Sequence, residues 1–493
     1  MRRLRPGSAV VLGLILTACG GGGGGSGGGG ALGSSGAGGN GTGAALSTSG
    51  SISAFGSIFV NGNHFNVASA AITIDDETAT ESDLRVGQSA VVRGTAAVGG
   101  ALAMATSVEV RSRVVGAVAS VDATASSFVV LGQTVIVNSN TSFDPAITPA
   151  DIGGIRTADL VRVHGVAQAD GSIVARRIDR ATAAEGYKVQ GVVGALNATT
   201  HTFRINALTV DYSSATLSNF TASGPASGDR VWVRGTSFAA ATTTLAATRV
   251  TRIPDAPPGL AGTVEREGLV TRFASITDFD IAGQKITTNA GTVYRNGTAT
   301  DVKLNAEIEA RGTVDANGLL TAQVIEIHQH SVYALEAPIG TLTAGTPNAL
   351  TVMGVTVTVD AYTRLEDLSP ARIRNLAFGD LRAGDNVAVY GYEDPAGSGK
   401  LVARRLVRIG TTNATAIAGF FTATTAPQLK VLGVTVDATS ATFYANRMTT
   451  LTSAQFFAQA AGRRVAVIGT GNAPLVATRV LLLLDDEDCP SLD

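Results

Sequence analysis

From residue 51 to residue 484 the chain runs in short stretches of alternating apolar and polar positions broken by turn residues, and the same order of stretches keeps returning. One marker is a hairpin-like element of the form apolar, x, small, x, x, apolar, x, apolar, where x is any residue. It occurs as Val60-Asn61-Gly62-Asn63-His64-Phe65, Leu131-Gly132-Gln133-Thr134-Val135, Ile205-Asn206-Ala207-Leu208, Ile281-Ala282-Gly283-Gln284, Val352-Met353-Gly354-Val355 and Val431-Leu432-Gly433-Val434. The small residues at 62, 132, 207, 283, 354 and 433 are 70, 75, 76, 71 and 79 apart. A second marker is an alternating run ending in glycine, such as Val161-Arg162-Val163-His164-Gly165, Val231-Trp232-Val233-Arg234-Gly235 or Val387-Ala388-Val389-Tyr390-Gly391. Its glycines, 94, 165, 235, 312, 391 and 469, are 71, 70, 77, 79 and 78 apart, so two independent markers keep one period. Period-2 alternation predicts a half-buried strand, with the valines inward and the Arg, His, Trp or Tyr outward.

Each unit opens with a strand around a glycine (116, 191, 262, 340, 419) and closes with a strand such as Leu401 to Ile409 after a short Gly or Asn turn. Five strands per unit result, with an irregular, helix-permitting stretch between the third and fourth (Ile147 to Leu160, Pro370 to Leu381, Leu451 to Ala461). No long 3.6-period stripe is present, which excludes a helical array. The expected fold is therefore all-β with minor helix, a tandem array of about six small OB-like five-stranded β-barrel units. The units are placed at 51–113, 114–182, 187–255, 260–330, 334–410 and 416–484. The motif set resembles the bacterial family catalogued as domain of unknown function 5666, whose members are often lipoproteins with tandem copies. It does so through Gly116-Ala117-Val118, Leu131 to Val135, Gly384-Asp385, and Val402-Ala403-Arg404-Arg405 with Val476-Ala477-Thr478-Arg479. That family carries no established activity, so the resemblance implies a fold and not a chemistry.

Before the first unit the pattern changes. Arg2, Arg3 and Arg5 precede an apolar run from Ala9 to Leu16 that is too short to cross a bilayer, as in a signal peptide. Leu16-Thr17-Ala18-Cys19 looks like a bacterial lipobox. Residues 1–18 are accordingly expected to be removed and Cys19 to be the lipid attachment site, carrying diacylglycerol and an N-acyl chain such as palmitate. Several acyl chains make attachment stable, since each buried methylene contributes about 0.8 kcal/mol. Gly20 rather than Asp follows Cys19, which favours the outer over the inner membrane. Residues 19–50, dominated by Gly and Ser, read as a flexible tether. Residues 485–493 read as an acidic tail, with Cys489 left without an intrachain partner once Cys19 is lipidated.

The chain has 493 residues, 15% of them charged, and losing the three arginines of the leader takes its formal net charge from −2 to −5. That balance argues against a nucleic-acid-coating protein. Outside the poly-Gly tether no Gly-x-Ser-x-Gly elbow occurs, nor does a phosphate-cradling loop, and no catalytic residue or cofactor is expected. His328 and His330 sit two apart on an expected strand, with Glu326 on their face, and are the weak metal candidates; His64 and His164 read as exposed strand positions. Arg93, Arg234, Arg404 and Arg405 are the weak ligand-binding candidates, weighed against a solvated strand face that discourages edge pairing. The expected function is a lipid-anchored cell-envelope protein, non-catalytic, binding or scaffolding polysaccharide, peptidoglycan or a protein partner. The alternatives are a metal-dependent or other hydrolase with a site between repeats, and an oligonucleotide-binding OB array.

Overall fold

A computed structural model describes residues 43–97, 102–254, 262–412, 414–423, 425–445, 449–472 and 474–483. The leader, Cys19, most of the tether and the tail with Cys489 lie outside the described residues.

Within each unit the five expected strands form, and they close on themselves. In unit 5 strand 1 (Tyr333–Thr343) pairs with strand 2 (Asn348–Val352), strand 2 with strand 3 (Val355–Val359), and strand 3 runs parallel to strand 5 (Lys400–Arg408). Strand 5 pairs with strand 4 (Asn386–Glu393), which returns to strand 1. This 1-2-3-5-4-1 circuit is the order of an OB barrel, and all six units repeat it. The first marker is the turn between strands 2 and 3. Both central residues have positive φ in five of the units, as at Met353 (53°) and Gly354 (78°), the geometry of a primed two-residue turn that matches strand twist.

The second marker has a different cause. At Gly94, Gly165, Gly235, Gly312, Gly391 and Gly469 the register between strands 4 and 5 slips. A Cβ on any of them would run into a backbone carbonyl of strand 5, at Val402 in the case of Gly391. These glycines are the bulges that bend the sheet into a barrel.

The gap between strands 3 and 4 departs from expectation. Among the described residues only unit 6 places an α-helix there, Ser453–Ala460, capped by the Thr452 hydroxyl and burying Phe456. Units 2 and 5 instead carry a short extra strand (Ser142–Phe143, Arg364–Asp367) and a single 3-10 turn. Their gaps hold Gly or Pro (Gly153, Gly154, Pro370), which shorten any helix. Strand 1 of unit 1 begins at Ala45, so the last residues read as tether belong to the barrel.

The barrels join through their first strands, and not always with their sequence neighbours. Strand 2 covers one edge of strand 1 only along its C-terminal half, leaving the N-terminal half as an open edge. In unit 1 that edge is taken by unit 4, in parallel, from Leu46↔Thr263 to Ser49↔Arg266. Units 2 and 3 join antiparallel at Lys188↔Val115 and Val189↔Val114, and units 5 and 6 at Ala334↔Ala418 through Glu336↔Ala416. Pairing thereby removes the edges that six separate barrels would expose. Three sheets of 13 strands result among the described residues.

Because barrels pack on barrels, their outer faces are also buried, and this corrects the half-buried reading. His164, Trp232 and Tyr390 are at most 1% exposed. His164, expected at the surface, points its Nδ1 at the Arg111 carbonyl 3.1 Å away. His64 is half-buried, stacked on Phe59 with Nε2 2.7 Å from the Gly56 carbonyl.

The bulge and the turn should respond differently to one methyl group. Gly391→Ala is expected to cost about 2–4 kcal/mol through the backbone clash. Gly354→Ala, where a Cβ meets nothing within 4 Å, should cost about 1 kcal/mol through its positive φ. Thermal unfolding of both variants checks the order, and equal losses would contradict the bulge assignment.

Candidate ligand cavity and its ion-pair wall

Units 1, 2, 4 and 5 meet at a polar junction organised on Glu307, the first residue of strand 4 in unit 4. Arg176 of unit 2 lies 2.5 Å from Glu307 Oε1, and Arg404 of unit 5 lies 3.3 Å from the same oxygen. Arg404 also donates to His328 Nδ1 at 3.1 Å, which requires that nitrogen to be unprotonated. Burial, then Arg404, pulls His328 down to about 3, so its ring is neutral. Burial alone would raise Glu307, but Arg176 and then Arg404 outweigh it and hold the carboxyl well below the usual carboxylate range. Two residues along the strand, burial and Glu265 push Glu309 well above that range. Next to this centre Arg405 is bidentate to Glu366 and donates to the Ser139 carbonyl, while Arg364 donates to the Arg176 carbonyl. Unit 1 is tied in by Lys188 on Asp75 (3.0 Å) and by Arg177 on the Val86 carbonyl.

Beside this wall lies a partly open cavity of about 400 Å³, lined by units 1 to 4, within the size range of small-molecule sites. The alternation of the strands builds it. In unit 3, Val231 and Val233 enter the barrel core, so Arg230 and Trp232 face outward into the cavity. In unit 1 the polar run Ser47 to Ser51 does the same, against Glu265, Arg266 and Glu267 of unit 4. Six arginines and three glutamates line it among the described residues. The guanidinium carbons of Arg111 and Arg234 each sit 4.5 Å from the Trp232 ring centre, the geometry of cation–π attraction.

The candidates read from sequence fall in three places. Arg93 lines the cavity, and Arg234 packs on its tryptophan while facing Asp76 and Glu77. Arg404 and His328 join the ion-pair centre, with His330 close enough for its charge to bear on Glu307. Arg405 is buried in its own pair, neither solvated nor available to a ligand. Strand 5 of unit 4 ends at Ile327, so His328 and His330 lie beyond it. Glu326 does not join them; it accepts from Tyr362 and Asn296. The carboxylates of Glu267 and Glu307 lie with His328 in a cluster whose ligand atoms are within 4.8 Å of one another. Guanidiniums already occupy the Glu307 and His328 atoms, which makes the cluster a salt-bridge centre before it could hold a metal.

Six segments, 49–109, 115–179, 190–251, 267–326, 339–406 and 418–480, match the model of the family described as Domain of unknown function (DUF5666). The chain belongs to this family. No curated protein matches it. The DUF5666 boundaries bear on the cavity: Arg111, Arg113, Arg252 and Arg266 all lie in the joints between matched segments. Sequence reasoning missed Arg113, Arg230 and Arg266 because it searched within the repeat, while two of the three belong to the spacing around it. An outward Trp between outward arginines at 230, 232 and 234 was the signal that pointed here.

Glu307→Gln should destabilise the protein by about 3–5 kcal/mol near pH 7, since it takes the directly paired anion from the buried Arg176 and from the half-buried Arg404. The sign with pH follows from the depressed carboxyl. Its stabilisation is fully present above the ordinary value of 4.5 and is lost as pH falls through the folded value. Denaturant unfolding from pH 3 to 8 should therefore show a shallower acid limb in the variant; an unchanged limb would contradict the assignment.

Proposed function

We propose that this DUF5666 protein is a lipid-anchored, non-catalytic binding protein of the bacterial cell envelope, held through Cys19 and presenting its barrels to a polysaccharide or other envelope partner. The observation that carries the reading is the convergence of four repeats on one ligand-sized cavity. A scaffold built only for spacing has no reason to turn its tryptophan and six arginines onto a shared interior space. The lipobox-like Leu16 to Cys19 supports the anchor, and Gly20 favours the outer membrane.

A hydrolase is the second reading, favoured by Glu267, which lines the cavity and whose carboxyl is raised by burial and by Glu307. Glycoside hydrolysis needs a second free carboxylate across the bond. The neighbouring Glu265 is committed, accepting from Thr48 at 2.8 Å and Asn63 at 2.5 Å and facing Arg311. The cavity is thus better furnished for holding a ligand than for cleaving one.

Growth of the expressing bacterium on labelled palmitate should label the full-length chain and place it in the membrane fraction, and Cys19→Ser should abolish both. Label retained by Cys19→Ser, or an unlabelled soluble wild type, would overturn the anchor.

A further inference from the structure

We propose that the cavity between units 1 and 4 is a specific site for an acidic saccharide, one whose ring bears a phosphate or carboxylate, with Arg113 and Arg266 as its principal anion contacts. The inference deepens the binding reading above and rests on it.

The first support is an imbalance of charge. Arg266 donates to the Ser49 hydroxyl at 3.1 Å and to the Ala282 carbonyl at 3.3 Å, and Arg113 donates to the Gly165 carbonyl at 3.0 Å. All three acceptors are neutral. Burial, then the neighbouring charge of Arg230, pulls Arg113 down to about 10 and Arg266 to about 9. Guanidiniums do not shed their proton in proteins, so an anion is the partner that relieves this repulsion. The glutamates in the wall supply little of it. Glu109 is engaged by Arg93 and Arg111, Glu265 faces Arg311, and Glu267 lies under the charges of Arg176 and Arg404.

The second support is independent of charge. Arg111 Nη1, Trp232 Nε1 and Arg266 Nε are buried, border the cavity and have no partner among the described residues. Each of these three is a donor. Orphaned buried donors are costly, and an oxyanion with several lone pairs satisfies more than one at once. Around them the wall offers neutral hydroxyl and amide groups (Ser49, Ser51, Ser89, Gln190, Gln284) and an apolar patch of Val91, Val166 and Ile253. Arginines for the acid, hydroxyls and amides for ring hydroxyls and an apolar patch for the C–H face together describe an acidic sugar. A bare inorganic ion would use only the first.

The chain contains one tryptophan, and it lines the cavity, so its emission reports occupancy. The full chain is titrated with digalacturonate, glucose 6-phosphate, inorganic phosphate and maltose. The expected result is a saturable change in Trp232 emission and a raised melting temperature with one or both acidic sugars, weakened by added salt, and no response to maltose. A response to digalacturonate alone points to a uronate polymer and a response to glucose 6-phosphate alone to a phosphorylated glycan. Arg113→Gln and Arg266→Gln should each weaken binding about tenfold or more. Arg249→Gln, an exposed arginine outside the cavity, should leave it unchanged. If Arg266→Gln fails to fold by circular dichroism, Arg113→Gln decides. The proposal is overturned if neither acidic sugar moves emission or melting, if maltose or phosphate binds as tightly as both acids, or if the folded arginine variants bind like wild type. Such a failure with palmitate labelling intact removes the ligand and leaves the anchor, whereas loss of labelling removes the anchor alone.

Discussion

A single carboxylate, Glu307, is held at once by a guanidinium of unit 2 and a guanidinium of unit 5, and the arrangement of the first five repeats depends on it. Buried ion pairs are poor sources of net stability, because the desolvation of both ions offsets most of their attraction, but they are unforgiving of substitution. Here they choose which surfaces meet. An apolar outer face on each barrel would pack against any other barrel in the molecule. Faces bearing Arg176, Glu307, Arg404 and the Arg405–Glu366 pair fit only one another. Unit 6 shows the contrast: its seam with unit 5 is mostly apolar, with Ala334, Ala388, Ala416, Ala418, Ala466 and Tyr390 beside the buried Glu336, and its partner is its sequence neighbour.

The same constraint accounts for the skipped pairing. Every barrel has an open edge along the first half of strand 1, so edge pairing alone would join units 1–2, 3–4 and 5–6 as readily as any other set. Thr48 on Glu265, the Ser51 amide on Glu267 and Arg266 on Ser49 tie unit 1 to unit 4 specifically. Lys188 on Asp75 then fits unit 3 against unit 1. The cavity is what remains between four barrels held this way, which is why arginines, glutamates and serines stand in its wall beside apolar side chains.

The barrels themselves were legible in the sequence because the features that define them are local and repeated. A primed turn wants Gly at 354, a bulge demands it at 391, and alternation sends Val387 and Val389 inward; the bulge glycine recurs in all six units and the turn glycine in five, with Ala207 in its place in unit 3. The helix-permitting stretch between strands 3 and 4 was less legible, since its residues differ from unit to unit (Gly153 and Gly154 in one, Pro370 in another) and, among the described residues, only Ser453–Ala460 keeps a helical run. Outer faces were misread for a physical reason: Arg405 and His164 look solvated along one strand, and become buried only through contacts hundreds of residues away in one case and around fifty in the other. Arg113 and Arg266 were not legible at all, because they sit in joints that no repeat constrains.

On the binding reading proposed above, function is carried by the way repeats are put together, not by any one repeat. The most direct measurement of that claim is small-angle X-ray scattering of the chain from residue 43 onward. One compact body of this length should give a radius of gyration of about 22 Å. A value of roughly 45 Å, that of six such barrels strung end to end, would contradict the account.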